Sequence, residues 1–478
     1  MKGRTCFWGS AAALLAACTV GPNYKPPPDR APTTWGTRLG AGESDASVTL
    51  ASWWSSFNDP ELDTLIDSAI QSNLTLRVAE ERVREARAER EVVSGGRWPA
   101  AGASAGYSRN RYGANSYPPL ASFPGIPLDY NLYTVGFDAA WELDLFGGVR
   151  RAVEASSAQA AAAEYARRDV LVSVLAEVAR NYIDTRAYQE RLAITRRNVA
   201  AEQGILELTR SRYRNGLASD LEVEQASALL TATEAQLPAL ESGFAQSAHH
   251  LSVLLGQDPG AMLETLSRVT PIPLTPPVVP VGLPSDLLRR RPDVQRAERE
   301  LAASTAEIGV AEADLFPKVS LTGTLGLTST SSGTLLESAS RYWSAGPSVQ
   351  WNLLEGGRLR ANVRVQKARA AQALDTYRQT VLVALEDTEN ALIAYSKEQS
   401  RRRSLAQSAQ SSQAAFQLSS ELYRSGLVDF LNVLDAERTL YAAQDALVGS
   451  TESVSLDLVQ LYKALGGGWQ QEAAHQSP

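Results

Sequence analysis

Two long tracts of the sequence repeat every seven positions. The first places Leu171, Val178, Thr185, Leu192, Val199, Leu206 and Tyr213 in register, with one polar member. The second places Val381, Thr388, Tyr395, Arg402, Ala409, Phe416 and Tyr423, and is less apolar. A sustained seven-residue period predicts long helices in coiled-coil packing. From about Val149 to Arg214 no proline intervenes, and sixty-odd residues at ~1.5 Å each span on the order of 95 Å. Four other segments alternate at period two, the signature of half-covered strands. The clearest sets Tyr133, Val135, Phe137, Ala139, Trp141, Leu143 and Leu145 against Thr134, Gly136, Asp138, Ala140, Glu142 and Asp144. A third sets Val319, Leu321, Leu325 and Leu327 against Ser320, Thr322, Thr324, Gly326 and Thr328, and a fourth sets Val349, Trp351 and Leu353 against Ser348, Gln350 and Asn352. The first, about 99–112, is alanine-rich and weaker.

The two tracts end alike. Tyr213-Arg214-Asn215-Gly216-Leu217 precedes a helical run closing at Leu255-Gly256, and Tyr423-Arg424-Ser425-Gly426-Leu427 precedes one closing at Leu465-Gly466, an offset of 210 residues at both ends. Trp141 and Trp351 stand 210 apart as well. The pattern predicts an internal two-fold repeat of strand pair, long helix, tight turn and returning helix, with the Gly-Leu turns at the tips of two helical hairpins. The first repeat is 61–256, with strand pair 98–146 and hairpin 149–256. The second is 285–466, with strand pair 315–354 and hairpin 357–466. A Pro-rich connector, 257–284, reads as extended along the outside, and the tail 467–478 reads as flexible. Asp59 and Pro60 fit the cap and first turn of a helix through Leu62, Leu65, Ile66, Ala69 and Ile70. A second helix follows Asn73 and stops at Gly95-Gly96.

The strands admit two readings, a soluble sandwich or membrane strands of ~9–11 residues. Trp98, Tyr112, Tyr130, Tyr133, Trp141, Tyr342, Trp343 and Trp351 cluster near segment ends and suit interfacial girdles. The N-terminus favours the membrane. Lys2 and Arg4 precede a short apolar run, Phe7 to Leu15, too short to span a bilayer, so 1–17 reads as a secretory signal. Residues 18–60 then read as an extended arm rich in Pro, Gly, Thr and Ser. Four strands cannot close a barrel, and open edges are not tolerated in lipid, so the chain must oligomerise; three chains of four strands give twelve.

Composition narrows the chemistry. The net charge is -7, or -7 - 2 = -9 once Lys2 and Arg4 are removed, which gives no reason to expect nucleic acid. His249, His250 and His475 form no metal spacing, and no catalytic triad, phosphate loop or cofactor motif stands out, so neither an enzyme nor a metal site is expected. Glu142 and Asp144, on alternate strand positions, read as wet lumen residues.

Several stretches resemble a known family. Leu15-Ala16-Ala17-Cys18 resembles the bacterial lipoprotein cleavage box. Further matches are Cys18-Thr19-Val20-Gly21-Pro22-Asn23-Tyr24, Trp54 with Phe57-Asn58-Asp59-Pro60, Leu288-Arg289-Arg290-Arg291-Pro292-Asp293-Val294, Leu315-Phe316-Pro317, and Tyr423 through Leu434-Asp435-Ala436. Over essentially all of 15–467 the chain resembles a TolC-type outer-membrane efflux factor of the NodT lipoprotein group. That resemblance implies a mainly α protein with membrane β structure: a homotrimeric twelve-stranded β-barrel in the Gram-negative outer membrane, continuing into a periplasmic α-helical coiled-coil barrel. It implies a lipid on Cys18, no other cofactor, and partners in a periplasmic adaptor and an inner-membrane RND-type transporter. The implied role is an exit duct for drugs or other small molecules. A duct for secreted protein or metal ions is a near alternative, and a lipid-anchored structural coiled coil a distant one. With Met1 and Met262 the only methionines, there is no Met-rich route for soft metals.

The resemblance also assigns roles at the tips. Gly216, Leu217, Gly426 and Leu427 meet the adaptor. Leu431 and Asp435, spaced i and i+4 on one helix face, form the periplasmic gate. A ring of three Asp435 carboxylates favours cations, weakened here because Asn432 stands where the family often has a second acid. Repulsion within that ring calls for bonds that hold the tip closed. Tyr423, Arg424 and Arg438 are the candidates, with Glu222 or Glu224 as their partners.

Overall fold

The structure, a computed structural model, describes residues 19–28, 32, 34–36, 43–44, 50–113, 128–276 and 279–470. The signal segment 1–17, Cys18 and residues 471–478 lie outside them. Two units emerge, one from 1–27, 83–163 and 297–377, the other from 28–82, 164–296 and 378–478.

The first unit is built on an antiparallel sheet. Its strands are β1 (Ala100–Arg111), β2 (Asp129–Leu143), β3 (Lys318–Ser329) and β4 (Arg341–Gln350), in the order β1-β2-β3-β4. Register makes the faces unequal. Ala103 pairs with Phe137, Phe137 with Leu325 and Leu325 with Trp343, so these four share one face. Directly opposite residues in an antiparallel sheet point the same way. The next row, Gly102, Asp138, Thr324 and Ser344, lies on the other face and is polar or small. On that face Tyr342 lies over a glycine pair: a Cβ on Gly326 would meet its ring at 2.8 Å, and one on Gly136 its hydroxyl at 3.1 Å. The apolar face is uncovered, with Phe137 65%, Leu325 59% and Trp343 77% exposed. A contiguous apolar face of this kind requires lipid or a partner. The outer edges of β1 and β4 have no neighbour among the described residues.

The fourth strand differs from expectation. It ends at Gln350, and Trp351 and Leu353 lie beyond it. β3 begins at Lys318, the partner of Gln350, so no backbone remains for the later residues to pair with. Trp351 instead donates its indole N–H to the Leu315 carbonyl at 3.1 Å, as Trp141 donates to that of Arg97 at 3.0 Å. The chain entering this unit is fixed by Arg151, which donates to the carbonyls of Val20 and Gly21 at 3.1 Å each and to Asn23 Oδ1 at 2.7 Å.

Helices carry most of the second unit. They are α1 (Pro60–Ser72), α2 (Leu74–Gly95), α3 (Gly148–Arg214), α4 (Asp220–Glu234), α5 (Leu237–Leu254), α6 (Pro284–Arg290), α7 (Pro292–Ala313), α8 (Arg358–Arg424) and α9 (Phe430–Ala464). Of these, α2, α3, α7 and α8 contribute residues to both units. Both α3 and α8 have 67 residues, about 100 Å of helix. Asp59 caps α1, accepting from the Glu61 and Leu62 amides at 3.0 and 3.3 Å. The returning helix of the first hairpin is broken at Ala235–Gln236, whereas α9 runs unbroken for 35 residues. Pro238, in the first turn of α5, has no N–H to donate to the preceding turn.

The arm and connector enter the core rather than skirt it. Trp53, Trp54 and Phe57, in a short 3-10 turn, pack with Leu62, Leu175, Leu458 and Tyr462, and Trp53 stacks on Tyr462 at 5.2 Å between centroids. Ile272, Val279 and Val281 of the connector are also buried there. Nor is the start of the tail free: Trp469 donates to the Arg290 carbonyl at 2.9 Å, and Arg168 lies 4.6 Å over its ring. This indole anchors 467–470, where the glycine run predicts flexibility.

Candidate functional site: the paired helical tips

Both hairpins turn through the same geometry. Leu217 N–H donates to the Arg212 carbonyl at 2.8 Å and Gly216 N–H to that of Tyr213 at 2.9 Å. In the second hairpin Leu427 donates to Leu422 at 2.9 Å and Gly426 to Tyr423 at 3.0 Å. These are Schellman closures, which need a left-handed residue, and both glycines have φ of +72°. Gly216, Leu217, Gly426 and Leu427 are all exposed.

After the turn the two hairpins diverge. Ser219 and Glu222 form a reciprocal capping box at the start of α4. Asp429 begins α9 with no side-chain cap, and Asn432 stands at the position Glu222 fills in the first hairpin. Leu206, Ala226, Tyr423, Phe430, Val433 and Leu434 form a small core behind the tips, separate from the main one. Leu431 (64% exposed) and Asp435 share the outward face of α9.

Tyr423 ties the hairpins together. Its hydroxyl donates to Glu222 Oε2 at 3.2 Å, and its carbonyl accepts from Arg212 Nη1 at 2.8 Å. The Arg212 guanidinium also lies 4.6 Å over the Tyr423 ring. Burial, with Glu222 nearby, pushes the phenol above its ordinary range, so it stays a donor. Of the anticipated set the structure thus brings together Tyr423 and Glu222. Arg424, Arg438 and Glu224 are exposed and stand outside this network. Arg424 follows buried Tyr423 and Arg438 follows buried Glu437, and one helical step carries each to the outer side. Arg212 escapes the sequence reading. A basic residue in the last turn of a helix is the available signal, but its acceptor is the end of a different helix.

Among the described residues no group of three or more His, Cys, Asp or Glu is placed to hold a metal ion, and no helix is long and apolar enough to cross a membrane. The sheet with one apolar face, joined to paired 67-residue helices, defines the class of outer-membrane channel proteins. The chain belongs to the outer membrane efflux protein family, which matches residues 65–257 and 283–467. It is 32% identical over 461 residues to nodulation protein T of Rhizobium leguminosarum bv. viciae, covering 95% of this chain and 92% of that protein. It is 35% identical over 463 residues to the pyoverdine export outer membrane protein OpmQ of Pseudomonas aeruginosa, covering 97% and 96%. Its fold is similar to the solved outer-membrane channel OprN, with a TM-score of 0.88 and 38% identity over 95% of this chain and 100% of that one.

Proposed function

We propose that this protein is the outer-membrane exit duct of a tripartite efflux pump, passing small molecules from an inner-membrane RND-type transporter and a periplasmic adaptor to the outside. The observation that carries this reading is the sheet: four strands, an uncovered apolar face and two open edges. Three copies close those edges into a twelve-stranded barrel with lipid outside and water inside, continuing into a periplasmic helical tunnel. The uncovered apolar residues of α8, Leu382, Ile393 and Leu418, supply contacts between copies. A duplicated unit is supported by the equal lengths of α3 and α8 and the equal φ of Gly216 and Gly426. Cys18 carries the lipid, and Arg151 fixes the chain just after it. The duct performs no chemistry of its own.

Leu431 and Asp435 form the gate, and Gly216, Leu217, Gly426 and Leu427 receive the adaptor. Leu431→Ala and Asp435→Ala each remove part of the constriction. Each is expected to raise open probability in planar-bilayer recordings about tenfold, the effect of ~1.4 kcal/mol. An unchanged, low conductance in both variants overturns the gate assignment.

A further inference from the structure

Two carboxyl groups sit inside the tip bundle with no cation among the described residues to neutralise them. Glu202 of α3 is 2% exposed and Glu437 of α9 is 0% exposed. Each has one satisfied oxygen: Thr233 donates to Glu202 Oε1 at 2.8 Å, and Tyr441 to Glu437 Oε1 at 2.8 Å. The second oxygen of each, Oε2, is buried without a partner. Both residues occupy core positions. Glu202 lies midway in a buried seven-residue series, Thr195, Glu202 and Thr209, and Glu437 lies seven residues after buried Phe430.

The surroundings offer no compensation. On α3 the flanking core residues are Thr195, Leu206 and Thr209. On α4 the charged neighbour is Glu234, of the same sign. On α9 Arg438 is exposed and turned away. From Ser404 to Ser420, α8 carries no charged residue, and the buried hydroxyls of Ser419 and Ser420 are themselves unpartnered. Nearby cations are engaged elsewhere: Arg191 with Asp445 and Glu452 at 3.3 and 2.9 Å, Arg196 with Glu241 at 3.0 Å, Arg212 with Tyr423. A cleft of about 450 Å³ beside the break at Ala235–Gln236 is lined by Thr233 and Tyr441, the two donors.

We propose that Glu202 and Glu437 form a proton-operated latch between the two hairpins, which holds the tip closed when both are protonated and releases it when they ionise. A protonated carboxyl tolerates this apolar site, whereas two anions enclosed in it must be hydrated or drawn apart. Burial raises both groups from 4.5 to about 7, and for Glu202 the neighbouring Glu437 adds to it. The packed tip therefore binds more protons than a parted, hydrated one. Its stability is full below about pH 4.5 and is lost as pH rises through about 7. Glu437 lies on the same helix as the gate, about half a turn from Asp435 and under two turns from Leu431.

This inference rests on the channel reading above. Single-channel recording of the purified full-length protein at about pH 5 and about pH 8 tests it, because the two values bracket the titration. Open probability of the natural protein is expected to rise at least about tenfold between them. Glu202→Gln/Glu437→Gln, a permanent mimic of the protonated pair, is expected to stay at the acid value throughout, and Glu202→Gln alone to show a reduced rise. The infrared band of protonated buried carboxyls should fade over the same interval in the natural protein and be weaker at acid pH in the double variant, where the raised carboxyls of Glu452 and Asp457 remain. A double variant that keeps the natural pH response, or a natural protein with none, overturns the latch. Arg212→Ala/Tyr423→Phe separates the two failures. If it conducts while the natural protein shows no pH response, the latch alone is wrong; if neither conducts, the duct itself is wrong.

Discussion

Arg212→Ala combined with Tyr423→Phe will part the two hairpin tips. The double change removes the guanidinium bond to the Tyr423 carbonyl, the stacking of Arg212 on the ring, and the phenol bond to Glu222. Hydrogen bonds to charged groups contribute ~1.5–3 kcal/mol each and an exposed cation–π contact ~0.5–1. Glu222 is half-buried and the three contacts share atoms, so their sum is discounted to about 2–3 kcal/mol. That corresponds to roughly 30- to 150-fold in the population of the parted state. Open probability in planar bilayers reads it directly. Tyr423→Phe alone keeps the ring packed against Phe430, 5.6 Å away, and loses only the hydroxyl, so it should give the smaller part of the effect. A double variant indistinguishable from the natural protein would show that these bonds do not hold the tip.

Arg291→Ala should be the most damaging single change to the helical core. The guanidinium is nearly buried and donates to Asp293 at 3.0 and 2.7 Å, to Asp387 at 3.1 Å, and to the carbonyls of Ala384 and Ala464 at 3.4 and 3.2 Å. It thereby closes the C-terminus of α9 and ties it to α8 and α7. Burial alone opposes its charge, but Asp293 and Asp387 overcome this and raise its pKa. Removing it takes the guanidinium from Asp293 and Asp387, although the Val294 amide still donates to Asp293 and the Thr388 hydroxyl still reaches the two carbonyls. Breaking a buried pair in this way costs ~3–5 kcal/mol. The thermal midpoint of the detergent-solubilised protein should fall clearly. Arg291→Lys should recover only part of the loss, because a single ammonium cannot reach so many acceptors. A midpoint within a degree or so of the natural protein would contradict this account of the core.

The corresponding position of the first half shows why such residues are hard to anticipate. Asn73 donates to the Leu254 carbonyl at 2.7 Å, as Arg291 donates to that of Ala464, 210 residues later. Asn73 itself lies 218 residues before Arg291, because the connection between β3 and β4 is shorter than that between β1 and β2. Seven-residue spacing made α3 and α8 legible, and the Gly-Leu turns gave their ends. Alternation revealed four strands but overran the second and the last, since Asp144 and Leu145, like Trp351 and Leu353, keep the rhythm after the pairing has ended. The break before α5 was available in Pro238 but masked by good helix formers on either side. At the tip, Tyr423 and Glu222 could be singled out because one stands just before the second turn and the other just after the first. Arg212 could not, since its partner is a backbone carbonyl, which no side-chain pattern marks. Glu202 and Glu437 hide for a related reason. A glutamate in a helix reads as solvated, and only depth shows that these two are enclosed.

The mass of the detergent-extracted assembly, measured by native mass spectrometry, tests the central claim most directly. Four strands with two open edges per chain predict three chains per particle and a closed sheet of twelve strands. A particle of a single chain, or of two, would leave strand edges open to lipid and contradict the duct.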